Sequence, residues 1–567
     1  MTNSSNPRMS GAEILLKCLL EEDVDTLFGY IGGAIMPVYD SLYDYQDHLN
    51  HYFTRHEQGA MHAAQSYARI SKKVGVCFTT SGPGATNVIT GLADAYLDST
   101  PLVVITGQVG SGLLGTDAFQ ETDIVGISMP ACKWNYQITS ADEIAEVMAK
   151  AFYISRSGRP GPVLIDITKD AQQQLCEYSY KKCEGLRSYQ PWPQLNPDEL
   201  DAAAKLINQA EMPMILAGQG VLLANAEKEL MAFAEKAQIP VGCTLLGLSS
   251  FPADHPLYVG MLGMHGNYAP NRNTNECDVL IAVGMRFDDR VTGNTETYAR
   301  QAQIVHIDID PSEHNKNVQV DVPVLADAKE ALFALTHRVE AGERKEWLKS
   351  FAQYHEVEME TVIQKQAYSQ KEEINMAEVV RNISEKTDGK AILCSDVGQH
   401  QMTCARYYQF RQSHTQITSG GLGTMGFGLP ASVGAKIANP QQQVVAVIGD
   451  GGFQMTIQEL ATIKQYKLPV KIVVLNNSFL GMVRQWQDLF FDRRYSFTEM
   501  ENPDFVKIVE GYGLKARRIS AREDLEPALD ELLQSDEACF LEVVVEKESN
   551  VMPMIPPGGT VSEMKLE

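Results

Sequence analysis

Residues 444–477 read VVAVIGDGGFQMTIQELATIKQYKLPVKIVVLNN, and this stretch decides the fold. Val444 to Ile448 is a continuous apolar run of strand length, the mark of a strand buried on both faces of a parallel sheet. Glycines at 449, 451 and 452 let the chain turn sharply and approach a ligand closely. Thr456 with Glu459 reads as a capping box opening a helix to about Tyr466. Lys467-Leu468-Pro469 ends that helix, and Val470 to Leu475 forms the next strand. The unit is βαβ, and each strand delivers polar residues at its carboxyl end, the edge where open α/β sheets bind ligands.

Asp450 and Asn477 are therefore expected side by side at that edge. A carboxylate with an amide oxygen suits a hard cation such as Mg²⁺, which keeps phosphate oxygens among its ligands. Glycine-rich backbone beside a helix start favours the phosphates. The spacing resembles the thiamine diphosphate signature, GDG followed after a helix and a strand by NN. That resemblance implies Mg²⁺ held by Asp450, Asn477 and the main-chain carbonyl of Phe479, with Gly449 and Gly451 lining the cofactor.

The stretch has an internal counterpart. Laying Gly82 on Asp450 places Gly84 on Gly452, Leu92-Ala93 on Leu460-Ala461 and Pro101 on Pro469, without a gap. Two similar α/β domains follow, one at each end of the chain. Between them the segments MILAG, DVLIAVG and IVHIDID end in glycine or acid and alternate with helical sequence, a Rossmann-like pattern lacking G-x-G-x-x-G. The expected fold class is α/β, with three doubly wound, Rossmann-like domains on parallel sheets. Expected boundaries are 9–188, 189–375 (its last part, from about 341, a helical connector) and 376–548. In the tail, 549–567, the proline-rich stretch Met552 to Gly559 is not helical, and reads either as a lid or as a docked terminus.

Composition narrows the class. Apolar content of 44% and charged content of 21% describe an ordinary globular chain. A net charge of −24 argues against nucleic acid and anionic membrane, so an anionic substrate needs a metal or placed Arg and Lys. The ten cysteines form no Cys-x-x-Cys pair, which fits free thiols in a reducing compartment. No apolar run reaches membrane-span length and the opening residues carry no signal core, so a cytoplasmic location is expected.

Further strings tighten the resemblance. FGYIGGAIMPVYD, RHEQGA, SGPGATN, GTDAFQE, GMLGMHG, VGMRFDDRVTG, DVGQHQM, GLGTMGFGLP and GMVRQWQ are similar to the large catalytic subunit of the acetohydroxyacid (acetolactate) synthases, over about residues 27–490. The resemblance implies a pyrimidine-binding first domain, a central FAD-binding domain and a third domain binding diphosphate and Mg²⁺. It implies that pyruvate is decarboxylated on thiamine diphosphate and its remaining two carbons are joined to a second 2-keto acid. Pyruvate then gives 2-acetolactate, and 2-ketobutyrate gives 2-aceto-2-hydroxybutyrate, the first common step to valine, leucine and isoleucine. The alternative is another thiamine diphosphate enzyme, a pyruvate oxidase or a simple 2-keto acid decarboxylase.

Residue by residue, the resemblance implies that Glu57 hydrogen-bonds N1′ of the aminopyrimidine, with Gly33 and Gln120 as further catalytic positions. Gly423, Met425 and Met482 contact the cofactor, and Gln399 and His400 lie by its diphosphate. Arg290 fixes the second acid's carboxylate, Trp486 packs on the extra methyl of 2-ketobutyrate, and Phe119 and Lys169 line the approach. Arg159, Met264, His265, Gly266, Arg286 and Asp308 are implied FAD contacts. Ile31 and Gly110 stand where the family usually has proline, by the substrate channel. A homodimer or larger homo-oligomer, its sites at the interface, and a small regulatory subunit are implied partners.

Overall fold

The computed structural model describes residues 8–567; residues 1–7, the start of the stretch read above as free of a signal core, lie outside the described residues. Three six-stranded parallel sheets follow one another along the chain. The first holds β1 (Thr26–Gly29), β2 (Asn50–Phe53), β3 (Gly75–Thr79), β4 (Leu102–Gln108), β5 (Trp134–Ile138) and β6 (Pro162–Thr168). The second holds β7 (Pro213–Ala217), β8 (Val241–Cys243), β9 (Tyr258–Met261), β10 (Val279–Val283), β11 (Gln303–Asp308) and β12 (Val322–Leu325). The third holds β13 (Ile392–Ser395), β14 (Gln416–Ile417), β15 (Val444–Gly449), β16 (Lys471–Asn476), β17 (Lys515–Ile519) and β18 (Cys539–Val544). A short antiparallel pair, Arg8–Ser10 with Leu175–Glu177, closes the first domain.

Strand order carries the functional argument. The first sheet runs β2-β1-β3-β4-β6-β5 and the third β14-β13-β15-β16-β18-β17, the same order in both. The internal counterpart read from sequence is thus a shared topology: β3 and β4 occupy the places that β15 and β16 hold. The middle sheet differs, running β9-β8-β7-β10-β11-β12. That is the order of the dinucleotide-binding fold, whose crevice opens between β7 and β10 where the winding reverses.

The central strands are buried along their whole length, β15 and β16 without an exposed residue, which accounts for their unbroken apolar sequence. The capping box expected at Thr456 and Glu459 does not form. The helix opens earlier, at Asp450, and runs as Asp450–Thr456, a 3-10 turn and Leu460–Gln465. Tertiary partners take both side chains: the Thr456 hydroxyl donates to the Gly426 carbonyl at 2.9 Å, and Glu459 accepts from the Arg55 amide at 3.0 Å.

The first and third domains pack through two helices, Glu57–Ser71 and Gly428–Ala438. Their facing positions are small, Ala60, Ala63 and Ala64 against Ala431 and Ala435, so the backbones come close. A side chain at Gly434 would run into the Ala63 carbonyl. The tail docks as a terminus: Met552, Met554 and Ile555 are buried, and the Ile555 amide donates to the Met264 carbonyl at 2.8 Å.

Candidate active site

Every residue singled out from the sequence, apart from Arg159, follows or ends the carboxyl edge of a strand. In the first domain Gly33 follows β1, Glu57 β2, Phe119 and Gln120 β4, and Lys169 β6. In the third, Gln399 and His400 follow β13, Gly423 and Met425 β14, Asp450 β15, and Asn477, Phe479, Met482 and Trp486 β16. In the middle, Met264, His265 and Gly266 follow β9, Arg286 and Arg290 follow β10, and Asp308 ends β11.

Asp450 opens its helix with β15 and β16 side by side behind it, Gly449 paired with Leu475. Its carboxylate is buried and meets only neutral donors: the Asn502 amide at 2.7 Å and main-chain N–H groups of Gly451 and Ser478. Burial pushes Asp450 up to about 6, the electrostatic mark of an anion short of a positive partner. Asn477 accepts from the Phe479 amide at 3.2 Å and donates to Gln399 at 3.3 Å. Its oxygen, the Asp450 carboxylate and a main-chain carbonyl are hard donors that fit Mg²⁺. Among the described residues no cluster of three His, Cys, Asp or Glu offers a rival metal site. Asn502 was not foreseen, since it lies in a loop that carries no motif.

His400 is buried between Gly398 and Gly449, and its Nε2 has no partner. Burial holds its ring neutral, down to about 3. Gly398, with φ +150°, has the room to start the helix Gln399–Tyr407 there. In the tautomer that carries the proton on Nε2, this nitrogen is a free donor beside two glycines and fits an anionic oxygen such as a diphosphate presents.

One cavity of about 950 Å³ runs from the β7/β10 crevice to the third domain. Arg159, Met264, His265, Arg286, Asp308 and Arg290 line it, as do Gly423, Met425, Met482 and Trp486. Gly266 does not line it; its carbonyl accepts from Arg406 at 2.6 Å and so holds the turn. Arg406 also pairs at 2.5 Å with Glu358, both side chains fully buried, tying the 264–268 turn to the helix that starts at Gln399. Arg159 reaches across from the first domain to Glu313 at 2.7 Å. Burial raises Asp308 to about 7, and burial lowers His265 to about 4 with one ring nitrogen unpartnered. At the crevice Gly220 donates to the Gly284 carbonyl at 2.9 Å, and a side chain on either glycine would strike the other turn. Volume, switch-point position and unpartnered polar atoms all fit FAD.

Arg290 follows Asp288 and Asp289 in sequence, and a surface salt-bridge network with them is the alternative to binding a carboxylate. Asp289 stands at 3.7 Å and is largely exposed, a weak pairing, while the guanidinium lies 5.9 Å from the Trp486 ring and 3.3 Å from the Met264 sulfur. Trp486 is half-buried, so it is not a core tryptophan. Its neighbours on the helix anchor the tail instead: Gln485 bonds Val551 and Gln399, and Arg484, fully buried, donates to the Ser549 carbonyl at 2.7 Å.

The other first-domain residues, Gly33, Glu57, Phe119, Gln120 and Lys169, do not line this cavity. Glu57 starts its helix almost buried and accepts from Asn87 at 3.0 Å, a partner not singled out beforehand although it ends SGPGATN. Gln120 packs its main chain against Gly82, with φ +60°. Phe119 is 88% exposed, and space beside Gly33 is open. Ile31, Leu113, Ile127 and Met129 are further exposed apolar residues of the same domain.

Comparison with known proteins agrees with this geometry. Residues 9–127 match the thiamine pyrophosphate enzyme N-terminal TPP binding domain, 200–335 the central domain and 396–543 the C-terminal TPP binding domain. A probable acetolactate synthase large subunit of Methanocaldococcus jannaschii is 45% identical, covering 98% of this chain and 95% of the relative. The acetolactate synthase isozyme 2 large subunit of Escherichia coli is 44% identical over 98% and 99%, and the large subunit of Corynebacterium glutamicum 44% over 98% and 90%. No helix of the described residues is long and apolar enough to cross a membrane. The chain belongs to the acetolactate synthase large subunits, transferases built from the three domains of the thiamine pyrophosphate enzymes.

Proposed function

We propose that the acetolactate synthase reaction proceeds where the first-domain group of one copy meets the third-domain group of another. The observation that carries this reading is the separation of the two groups: Glu57, Gln120 and Phe119 lie off the cavity that Met425, Met482 and Trp486 share. The exposed apolar side chains of the first domain, Phe119 foremost, support a second copy as their cover. A homodimer is then the smallest complete enzyme. The name large subunit, carried by the relatives, supports a small regulatory partner.

Bound thiamine diphosphate supplies the electron sink for the two carbons that remain after pyruvate loses CO₂. Asp450, Asn477 and the Phe479 carbonyl would hold Mg²⁺ against the diphosphate, with His400 and Gln399 beside it. Met425 and Gly423 would shape the cofactor, and the Glu57 carboxyl would hold or release a proton at N1′. Arg290 would bind the second acid's carboxylate, a charge-assisted contact whose fork lysine cannot reproduce. Trp486 would pack on that acid's side chain, favouring 2-ketobutyrate over pyruvate. FAD would occupy the cavity at the β7/β10 crevice, with Asp308 on its ribose and Arg159 along its length. A simple decarboxylase needs neither Arg290 nor Trp486 in these places. The test is product analysis from pyruvate after cofactors are stripped and restored singly. Acetolactate that requires thiamine diphosphate and Mg²⁺ supports the reading; acetaldehyde or acetate as the product overturns it.

A further inference from the structure

The loop Thr418–Gly426 has no regular structure, yet its base is locked by the first domain. Asp98, fully buried at the end of the helix Ile89–Leu97, accepts from the amides of Gly420 at 3.0 Å and Gly421 at 2.6 Å. Arg69, near the end of the helix Glu57–Ser71, donates to Asp98 at 2.8 Å and to the Thr418 carbonyl at 2.7 Å. Asp94, one turn back from Asp98 and also fully buried, accepts from the Ser419 hydroxyl, from Thr424 at 3.3 Å and from Gln65 at 3.1 Å. The Ser419 oxygen in turn accepts the Thr424 amide at 2.8 Å. Beyond the loop, Asp396 accepts from the amides of Gly426 at 3.0 Å and Gly428 at 2.9 Å.

The tip is the opposite. Leu422 is 42% exposed, Gly423 holds a left-handed φ of +73°, and Gly423 and Met425 face the cavity. The amides of Gly420 and Gly421 point at the two different oxygens of one carboxylate, so the conformation depends on acceptors that an amide cannot supply at both positions. Charge-assisted bonds to main-chain N–H are short and strong, and fix geometry as well as energy. A staple between domains would need only one or two such bonds anywhere along the interface. Here they converge on the few residues next to the cofactor-facing tip.

We propose that Asp98, with Arg69 and Asp94, is a positioning group for thiamine diphosphate binding, setting from the first domain the loop conformation in which Gly423 and Met425 meet the cofactor. The proposal rests on the reading that these two residues contact it. Arg69 stands about 18 Å along its helix from Glu57. The first domain thus acts at two places: through Glu57 on one cofactor, and through Arg69 and Asp98 on the loop that holds another.

The test is the equilibrium affinity of stripped, full-length enzyme for thiamine diphosphate with Mg²⁺, read by fluorescence titration well below the melting temperature. Asp98→Asn, Ser419→Ala and Met425→Ala are compared with the parent. Asp98→Asn is expected to bind about tenfold more weakly, the scale of one charge-assisted hydrogen bond. Ser419→Ala is expected to bind several-fold more weakly. For both, kcat is expected to return towards the parent value at saturating cofactor, which separates positioning from loss of a catalytic group. If Asp98→Asn does not fold, Ser419→Ala decides alone. Lower melting temperature with unchanged affinity in the Asp98 and Ser419 variants, while Met425→Ala binds weakly, overturns the proposal and leaves a domain staple. Unchanged affinity in Met425→Ala overturns the underlying reading of the loop itself.

Discussion

The Arg290 guanidinium carbon lies 5.9 Å from the centroid of the Trp486 ring, so a side chain of the middle domain meets one from the third over the shared cavity. At that distance the cation sits over an aromatic face, and its fork meets no close carboxylate: Asp289 is 3.7 Å away and Nη1 donates only to the Met264 sulfur. Such a pair presents a charge for a carboxylate beside an apolar wall for a short alkyl group. Trp486→Leu should therefore reduce the ratio of acetohydroxybutyrate to acetolactate in a competition of 2-ketobutyrate with pyruvate. One methylene in an apolar pocket is worth roughly 1–3 kcal/mol, or about 10- to 200-fold. A wild-type product ratio in the variant removes Trp486 from substrate selection.

Glu57→Gln keeps the hydrogen bond to Asn87 within reach but removes the titrating carboxyl. Loss of one general acid–base group lowers rates by about 10²- to 10⁴-fold. The expected result is a fall in kcat of that size with the fold intact, together with slower hydrogen–deuterium exchange at C2 of bound thiamine diphosphate. Unchanged exchange excludes Glu57 from cofactor activation.

Asp450→Ala removes the one anionic group proposed for the metal. Removing even an outer-shell partner of a metal costs about 10- to 100-fold in affinity, and a direct ligand should cost at least that. Mg²⁺-dependent thiamine diphosphate binding should weaken accordingly, while flavin, held at the β7/β10 crevice, should remain. Calorimetric titration of stripped enzyme measures the first, and flavin absorbance after gel filtration the second.

Asp308 gives a pH prediction with a definite sign. Burial raises its pKa from the usual carboxylate range to about 7, so in the flavin-free chain it is protonated below and ionised above that value. A ribose hydroxyl donates best to the ionised form, so flavin affinity should fall as pH drops from 8 to 6. Asp308→Asn should bind more weakly at pH 8 and lose most of this dependence. Parallel pH profiles for the two proteins would assign the titration to another group.

Much of this was legible because buried parallel strands leave little freedom in sequence. The runs of β15 and β16 announce themselves as apolar, and the glycines and polar residues at their ends mark the ligand edge. The shared order of the first and third sheets was also visible, in the match of Gly82 to Pro101 with Asp450 to Pro469. Local rules failed where distant partners outbid them. Thr456 and Glu459 look like a cap, but Gly426 and Arg55 claim them. Asn502, Asp98 and Gln485 were silent because their meaning lies in partners 26 to 323 positions away, which no local pattern encodes. The flavin-sized cavity was equally hidden, since without G-x-G-x-x-G only the strand order of the middle sheet discloses the crevice.

The shared site is tested most directly by mixing chains. Glu57→Gln and Asp450→Ala are each prepared alone and then unfolded and refolded together, and acetolactate formation from pyruvate is measured at saturating cofactors. Each variant alone should be nearly inactive. In a mixed dimer one site carries both lesions and the other carries neither, so random pairing should restore about a quarter of the parent activity. Recovery near that level is the result predicted. A mixture no more active than the two variants alone, with mixed dimers demonstrably formed, would place both groups in one chain's site and contradict the account.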